Sequence, residues 1–158
     1  MTEKKDIVDA ARNIAYKSHT GMTDKYGNPY FEHLDRVAGR VRDMEYDMVD
    51  ETSEINLYIA AAYLHDVIED TDYSIKELTE EFGEVVADAV KLLSREKEMT
   101  YADYVERIKN SLFLEGKVAR VVKLADLFDH LMGPTPCPAR LVKRYEKSLY
   151  SLISKGVK

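Results

Sequence analysis

The chain has 158 residues, of which 45% are hydrophobic and 33% charged, and its 29 acidic and 23 basic residues give a net charge of −6. This length lies in the usual range of one domain, so we expect residues 1–158 to form a single domain. A lone cysteine excludes an internal disulfide framework, and no apolar run of about 18 residues and no apolar signal core is present, so we expect a cytoplasmic protein without a membrane partner.

The first part of the chain carries apolar residues at helical spacing. A first helix is predicted from Ile7 to a point near Gly21, and turn residues predict a loop over residues 23–28. Pro29 then suits the first turn of a second helix. The predicted core face of this second helix consists of Leu34, Val37, Ala38 and Val41. Residues 50–53 supply N-cap candidates for a third helix that continues to Leu64.

Capping residues mark the helices of the middle part. Ser74 is predicted to cap a short helix that ends at Gly83, and a further helix is predicted over residues 85–93. Thr100 followed by Asp103 resembles a capping box, which predicts another helix start.

The C-terminal part is predicted to hold two more helices. An apolar helix over residues 118–131 stops at Gly133, and the prolines at 134, 136 and 138 predict a non-helical connector. The apolar stripe of the last helix consists of Leu141, Tyr145, Leu149 and Leu152. Because no sustained period-2 alternation occurs, we expect an all-α domain, a bundle of about seven or eight helices.

Positive charge is concentrated at the C-terminal end. Residues 117–158 contain 9 basic and 3 acidic residues, a net charge of +6, on a chain that is acidic overall. This segment is either a positive rim that attracts an anionic substrate or the solvated face of a helix. An acidic chain without aromatic-basic interleaving is not expected to bind nucleic acid.

Four ionisable residues follow an apolar helix within a short segment, His65-Asp66-Val67-Ile68-Glu69-Asp70. Burying carboxylates without partners is costly, so such a cluster needs cations, hydrogen-bond donors or a metal. His65 and Asp66 are consecutive, so they converge on one ion only where a helix ends.

Two further candidate ligands lie on other predicted helices: His33 near the start of the second helix, and Asp126 after the apolar residues 121–125. Two imidazoles and two carboxylates form a mixed site suited to Mn²⁺, Fe²⁺ or Zn²⁺. Such a site activates water and polarises a phosphoryl oxygen. Spacing alone leaves a structural alternative open, in which these residues are satisfied core polar groups and His19 is a helix-end histidine.

Five motifs occur in the order and spacing of a known family: His19-Thr20-Gly21, Lys25-Tyr26-Gly27-Asn28-Pro29-Tyr30 followed by His33, Leu64-His65-Asp66-Val67-Ile68-Glu69-Asp70-Thr71, Phe82-Gly83 and Val122-Lys123-Leu124-Ala125-Asp126. Together they resemble the HD-domain metal-dependent phosphohydrolases, and most of all the RelA/SpoT-type alarmone hydrolases and their small stand-alone relatives. The resemblance covers roughly residues 10–132 and implies an all-helical fold, in agreement with the periodicity.

The resemblance also implies a site and a reaction. The positions that match the family's metal ligands are His33, His65, Asp66 and Asp126. Mn²⁺ is the usual ion there, with Fe²⁺ or Zn²⁺ as alternatives. Glu69 and Asp70 match the acidic pair that positions or activates the attacking water. The positions that match substrate contacts are Lys25, Tyr26 and His130. The implied reaction removes the 3′-pyrophosphate of (p)ppGpp and leaves GDP or GTP.

Two positions depart from the family pattern. Asp24 stands where the family often has an arginine that holds the nucleotide, and His130 stands where it commonly has a substrate-positioning asparagine. The metal ligands are therefore retained while the substrate contacts differ. We expect no synthetase or regulatory domain, because the chain ends at Lys158.

Three functional hypotheses follow. The first is a small alarmone hydrolase, and the second is an HD phosphohydrolase for another nucleotide, such as NADPH, a nucleoside phosphate or a modified alarmone. The third is a non-catalytic module that binds a nucleotide or a partner, against which the complete ligand set argues. A His65→Ala/Asp66→Ala variant that loses metal yet keeps its cellular effect would favour the third. The oligomeric state is not fixed by the sequence.

Overall fold

Nine helical segments form the part of the chain that the computed structural model describes, residues 6–48 and 54–156. They are α1 (Ile7–Ser18), α2 (Phe31–Met48), α3 (Ile55–Leu64), α4 (Val67–Asp70), α5 (Ile75–Phe82), α6 (Glu84–Leu93), α7 (Tyr101–Asn110), α8 (Leu114–Met132) and α9 (Ala139–Gly156). Because α4 is a single turn, the prediction of an all-α bundle with seven or eight helices is confirmed. Within these residues, extended pairing is limited to one isolated bridge between Thr23 and Pro29. The single domain over residues 1–158 stays a prediction.

The helix α3 lies at the centre of the bundle because it is apolar on all sides. Every residue from Tyr58 to Leu64 is buried, and α3 packs against α1, α2, α6 and α8. A helix without a polar face is stable only when other elements surround it. The C-terminal end of α3 therefore delivers the residues that follow it, His65 and Asp66, into the interior.

The helices α2 and α8 pack against each other and against α3. The predicted core face of α2 is confirmed, since Leu34, Val37, Ala38 and Val41 are all fully buried. Along α8 the buried positions include three charged residues, Lys123, Asp126 and Asp129. Buried charges require partners, so this stretch of α8 marks a polar site inside the bundle.

The predicted caps hold for the short helices. The Ser74 side chain accepts the N–H of Glu77, and the Glu77 carboxylate accepts the N–H of Ser74, which completes a capping box at α5. Gly83 adopts φ 86°, a left-handed conformation that favours glycine, between α5 and α6. Thr100 accepts the N–H of Asp103 at the start of α7. The N-cap candidates at residues 50–53 lie outside the described residues.

Two predicted helix starts are wrong by a few residues. Pro29 precedes α2 rather than opening it, because it pairs with Thr23 in the isolated bridge and its carbonyl accepts the N–H of Glu32 in a turn. The helix α8 begins at Leu114 instead of residue 118. Its first turn combines Leu114 with Glu115 and Gly116, so the apolar pattern that marks the rest of the helix is weak there.

The last helix, α9, packs against α7 and α8. Leu152 of its predicted apolar stripe is buried, and Tyr145 and Leu149 are partly buried against the core. Neither α9 nor any other described helix combines the length and the apolar character that crossing a membrane requires.

Candidate metal centre and adjoining cavities

A break between α3 and α4 brings His65 and Asp66 to one point. The helix α3 ends at Leu64, His65 is its C-cap, and Asp66 is the N-cap of α4. Nε2 of His65 lies 3.1 Å from Oδ2 of Asp66. The structure therefore has, at this position, the helix end that two consecutive ligands need in order to converge.

Two other helices complete the cluster. His33 comes from the first turn of α2, and Asp126 from α8. Nε2 of His33 lies 3.1 Å from Oδ1 of Asp126, and Nε2 of His65 lies 3.5 Å from the same oxygen. His33, His65 and Asp126 are buried and Asp66 is partly buried. All four predicted ligands thus lie together at the junction of α2, α3, α4 and α8.

The imidazoles of His33 and His65 are oriented through their other ring nitrogen. Nδ1 of His33 lies 2.7 Å from Oδ2 of Asp129, and Nδ1 of His65 lies 2.6 Å from the carbonyl oxygen of Ala62. These acceptors favour an N–H at Nδ1, which leaves the Nε2 lone pairs directed at the cluster.

The two Nε2 atoms are buried and have no hydrogen-bond partner. Buried polar atoms without a partner are rare, and imidazole nitrogens beside carboxylates are a typical donor set for a divalent ion. The residues therefore fit a metal ion. The described residues that could hold a metal ion form two overlapping groups: His33 with His65 and Asp66, and His33 with Asp126 and His130.

Lys123 is buried beside Asp126. Its Nζ lies 2.8 Å from Oδ2 of Asp126, and 5.6 Å and 5.1 Å from the ring centroids of Tyr101 and Tyr104. Burial raises the pKa of the Asp126 carboxyl, but the charge of Lys123 leads the effects that outweigh burial and hold that pKa well below its usual range. Asp126 is therefore ionised, with Oδ2 paired to the ammonium and Oδ1 directed at the imidazoles.

Asp129 is a second buried acid on α8. Its Oδ1 accepts a hydrogen bond from Nε of Arg36 at 2.9 Å, and Nε of Arg40 lies 3.5 Å from the same oxygen. Burial raises the pKa of Asp129, but hydrogen bonds from His33 and Arg36 outweigh it and hold the pKa well below its usual range. Because all three partners belong to α2, Asp129 fixes the position of His33 relative to α8.

Tyr30 contacts the cluster from the loop before α2. Its hydroxyl donates to Oδ2 of Asp66, and its ring stacks on His19 with centroids 5.4 Å apart. Burial and the charge of Asp66 raise the pKa of the Tyr30 hydroxyl, so the phenol stays protonated and acts as a donor. Tyr30 therefore fixes the carboxylate of Asp66.

The acidic residues Glu69 and Asp70 lie in different surroundings. The Glu69 carboxylate accepts the backbone N–H of Arg95 and lines the same cavity as Asp66. Burial raises the pKa of Glu69, and the Arg95 N–H partly offsets the effect. Oδ2 of Asp70 lies 3.3 Å from Nε2 of His19, which is the C-cap of α1, as predicted for a helix-end histidine. Glu69 is therefore the member of the pair that faces the cluster's cavity.

Two cavities open onto the cluster and share four residues of their walls, Tyr30, His130, Leu141 and Tyr145. The first, which we name the proline-side cavity, has a volume of about 300 Å³. Its other walls come from the loop before α2, from α2 and α8, and from the connector between α8 and α9, and they include Asp24, Lys25, Asn28, Arg36, Pro136, Cys137 and Pro138.

The second cavity, which we name the lysine-side cavity, has a volume of about 320 Å³. It is lined by the ligand candidates His65, Asp66 and Asp126, by Glu69, and by the cationic residues Lys123, Arg95 and Arg144. This cavity combines candidate metal ligands with three cationic side chains, so it is suited to an anion bound beside a metal ion.

Two of the three predicted substrate residues line a cavity, and the third does not. Lys25 lines the proline-side cavity, and His130 lies in the walls of both cavities. Tyr26 is 53% exposed and belongs to the walls of neither, so the structure does not bring it to the site. The Asp24 carboxylate accepts the backbone N–H groups of Tyr26 and Asn28, so it shapes the loop rather than presenting a free charge.

The basic residues of the C-terminal segment are divided between cavity walls and solvent, and attraction of an anionic substrate stays a prediction. Arg140 lines the proline-side cavity, and Arg144 lines the lysine-side cavity. Lys117 and Lys143 are exposed, as expected for a solvated helix face. Arg120 instead donates to the carbonyl of Ile108 near the end of α7.

The residues of this site to which the sequence assigned no individual role are Tyr30, Arg36, Arg95, Lys123 and Asp129, although Tyr30 and Lys123 occur within the motifs of the family resemblance. A polar residue within an apolar run is a usable signal, and it marks Lys123 and Asp129 on α8. Arg95 lies in the loop after α6, and no local pattern indicates its place, because that place depends on how α6 packs.

Comparison with protein families gives a match over most of the chain. Residues 11–125 match the family model of the HD domain. This stretch contains His33, His65 and Asp66 and stops one residue before Asp126.

Three curated relatives illustrate what the chain is similar to. It is similar to a probable guanosine-3′,5′-bis(diphosphate) 3′-pyrophosphohydrolase of Synechocystis sp., with 31% identity over 147 residues, 87% of this chain and 18% of the relative. It is 34% identical over 119 residues to a guanosine-3′,5′-bis(diphosphate) 3′-pyrophosphohydrolase of Haemophilus influenzae, covering 72% and 16%. A GTP pyrophosphokinase of Streptomyces coelicolor is 30% identical over 124 residues, covering 75% and 14%. The chain spans less than a fifth of the length of these relatives.

One solved structure has the same fold. It is described as a metazoan ortholog of SpoT that hydrolyses ppGpp and plays a role in starvation responses. The two structures share a TM-score of 0.69 at 22% identity, over 98% of this chain and 88% of the other. This likeness confirms the predicted fold.

Proposed function

The chain belongs to the HD-domain family, and from this membership and its site we propose that it is a metal-dependent phosphohydrolase that removes the 3′-pyrophosphate of (p)ppGpp. One observation carries the proposal. The buried Nε2 atoms of His33 and His65 face Asp66 and Asp126 without a hydrogen-bond partner, in an orientation that Asp129 and Ala62 impose. The names of the curated relatives support the choice of substrate.

In this proposal four residues hold one divalent ion, with Mn²⁺ as the ion: His33, His65, Asp66 and Asp126. When bound, such an ion supplies Lewis-acid polarisation of a phosphoryl oxygen and lowers the pKa of water. The carboxylates of Asp66 and Asp126 are kept ionised by their neighbours, so they are ready to act as ligands.

Glu69 takes the role of proton acceptor. It lies in the wall of the lysine-side cavity, where partial burial raises its pKa above the ordinary value, and a carboxylate in that place can accept a proton from water. The Arg95 N–H holds one of its oxygens, which leaves the other for water. Asp70 pairs with His19 and supports the short helix α4 that carries Glu69.

The two cavities divide the nucleotide between them. The lysine-side cavity receives the pyrophosphate, because Lys123, Arg95 and Arg144 line it. A guanidinium group can donate two parallel hydrogen bonds to a phosphate, and an ammonium group adds positive charge. The proline-side cavity, with Lys25 and the connector prolines in its walls, receives the nucleoside. The residues that both walls share, Tyr145 among them, then lie between the two parts of the nucleotide.

A second candidate is hydrolysis of a different nucleotide by the same groups. The observation that favours it is the state of Asp24, whose carboxylate is held by the N–H groups of Tyr26 and Asn28 and contacts the hydroxyl of Thr135. No free cation stands at this position to hold a guanine nucleotide, so the base preference of the proline-side cavity follows from other residues.

Product chromatography after incubation of the Mn²⁺-loaded protein with ppGpp, and separately with a panel of nucleotides, tests both candidates. We expect ppGpp and water to give GDP and pyrophosphate, and pppGpp to give GTP and pyrophosphate. Turnover of another nucleotide but not of ppGpp would select the second candidate. The matched control is Glu69→Gln, which keeps the metal ligands. Metal binding with no turnover of any nucleotide would contradict both candidates and favour a binding module.

A further inference from the structure

Three imidazoles surround one oxygen of Asp126. Oδ1 of Asp126 lies 3.1 Å from Nε2 of His33, 3.5 Å from Nε2 of His65 and 3.2 Å from Nε2 of His130. The third of these residues, His130, is not among the four ligands that the family resemblance implies.

Hydrogen bonding alone does not account for this arrangement. A carboxylate oxygen has two lone pairs, so it cannot accept hydrogen bonds from three imidazoles at once. The other oxygen of Asp126 does not relieve the crowding, because it is paired with Lys123 at 2.8 Å. Three ring nitrogens and one carboxylate oxygen at these distances are instead typical of neighbouring ligand atoms that surround a shared cation.

We propose that His130 is a nitrogen ligand of the metal centre, so that the site offers three imidazoles and two carboxylates instead of two of each. The ligand atoms of His33, Asp126 and His130 lie within 4.8 Å of one another. The inference rests on the metal site of the proposed function but not on its substrate.

Two neighbours hold the ring of His130 in place. It lies four residues after Asp126, hence on the same face of α8. Its ring centroid is 4.9 Å from that of His33 and 5.3 Å from that of Tyr145. The side chain is 41% exposed and lies in the walls of both cavities, so His130 is the ligand on the open side of the site.

The third imidazole has a consequence for the choice of metal. Imidazole suits Co²⁺, Fe²⁺ and Zn²⁺, whereas oxygen ligands suit Mn²⁺, and affinity for a given nitrogen-containing site rises from Mn²⁺ to Co²⁺. His130 therefore strengthens Co²⁺ and Zn²⁺ binding more than Mn²⁺ binding. An asparagine at this position would lack that preference.

The test compares metal binding by the metal-free wild-type protein and its His130→Asn variant. Equilibrium competition titrations give the affinities for Co²⁺ and Mn²⁺, and the visible absorption of bound Co²⁺ reports its ligands. We expect His130→Asn to weaken Co²⁺ binding by about tenfold or more, because even the loss of a residue that only hydrogen-bonds to a metal ligand has an effect of about that size. The ratio of the Co²⁺ and Mn²⁺ affinities and the Co²⁺ spectrum should change as well.

Two further variants control the result. His130→Gln repeats the loss of the imidazole with another side chain, and circular dichroism checks the fold of each variant. Met132→Gln alters an exposed residue of the same helix and should change neither affinity nor spectrum. An unchanged Co²⁺ spectrum and an unchanged affinity ratio in both His130 variants would overturn the inference while the proposed metal site stands. A wild-type protein that binds no divalent ion would overturn both.

Discussion

The carboxylate of Asp129 holds the ring of His33 from the side opposite the cluster of proposed metal ligands, with Oδ2 of Asp129 2.7 Å from Nδ1 of His33. Arg36 donates to both oxygens of Asp129, at 2.9 Å and 3.1 Å. The orientation of the imidazole of one proposed ligand therefore depends on a buried acid that is not itself a proposed ligand. This arrangement, in which an outer carboxylate sets the tautomer and direction of a ligating histidine, is common in metal sites.

The first prediction concerns this outer carboxylate. Asp129→Asn keeps the shape of the side chain but removes the charge that orients His33 and neutralises Arg36. We expect metal affinity to fall by about 10- to 100-fold, measured by competition titration with a chelating dye. Lys117→Gln, at an exposed position of the same helix, is the matched control. Equal affinities for Asp129→Asn and wild type would remove Asp129 from the metal site.

The second prediction concerns Asp126. Asp126→Ala should abolish metal retention, measured as manganese content after gel filtration. It should also lower the free energy of unfolding by about 3–5 kcal/mol, because it leaves the buried Lys123 ammonium without its partner. Urea unfolding gives that number. A variant with normal manganese content would exclude Asp126 as a ligand.

A double variant separates the two effects of Asp126. Asp126→Asn/Lys123→Met removes both charges and fills the space of the lysine with an apolar chain of similar length. We expect it to unfold at a higher urea concentration than Asp126→Ala but to retain no metal. If the double variant is as unstable as Asp126→Ala, the instability does not come from the unpaired ammonium.

The third prediction concerns proton transfer. Glu69→Gln should keep the metal and lower kcat by about 10²-fold or more, because it removes the proton acceptor beside the metal cluster. Steady-state kinetics on the substrate identified by product chromatography measure the effect. Asp72→Asn, a change at an exposed acid three residues after Glu69 in the sequence, should keep normal turnover. Near-normal kcat for Glu69→Gln would assign the proton transfer to another group.

The fourth prediction concerns pH and stability. Hydrogen bonds from the N–H and hydroxyl of Ser74 hold the pKa of Glu77 below its ordinary value of 4.5. The unfolded chain therefore binds a proton more readily, so this stabilisation is present above pH 4.5 and is lost as the pH falls through the lowered pKa. Thermal unfolding should show wild type above Glu77→Gln in Tm at pH 7 and a smaller gap near pH 3. A gap that does not change with pH would contradict the assignment.

The sequence singled out the proposed metal ligands because they belong to contiguous, chemically unusual segments. His65 and Asp66 directly follow the apolar helix α3, and Asp126 lies within α8 after a mostly apolar run, so these polar residues stand out in the sequence without knowledge of the fold. Their convergence was expected only at a helix end, and the structure has that end at Leu64.

The supporting residues could not be found in the same way. Lys123 was one of several basic residues in its segment, and counting charges does not tell a buried ammonium from an exposed one. Arg36 and Asp129 are 93 residues apart, so their pairing depends on how α2 packs on α8. Tyr26, in contrast, was expected at the site from its motif, but the turn that Asp24 organises leaves it exposed.

The helix α9 lines the cavities but lies outside the part of the chain that matches the family model. Arg144, Leu141 and Tyr145 of α9 stand in the cavity walls, yet the match to the family model ends at residue 125. Residues 11–125, which match the family, thus contain most of the proposed metal-binding residues. The later residues of α9 form much of the cavity wall that a bound molecule would contact. In the proposed function, substitutions in α9 would therefore change the walls that a bound nucleotide meets and leave the proposed ligands within residues 11–125 in place.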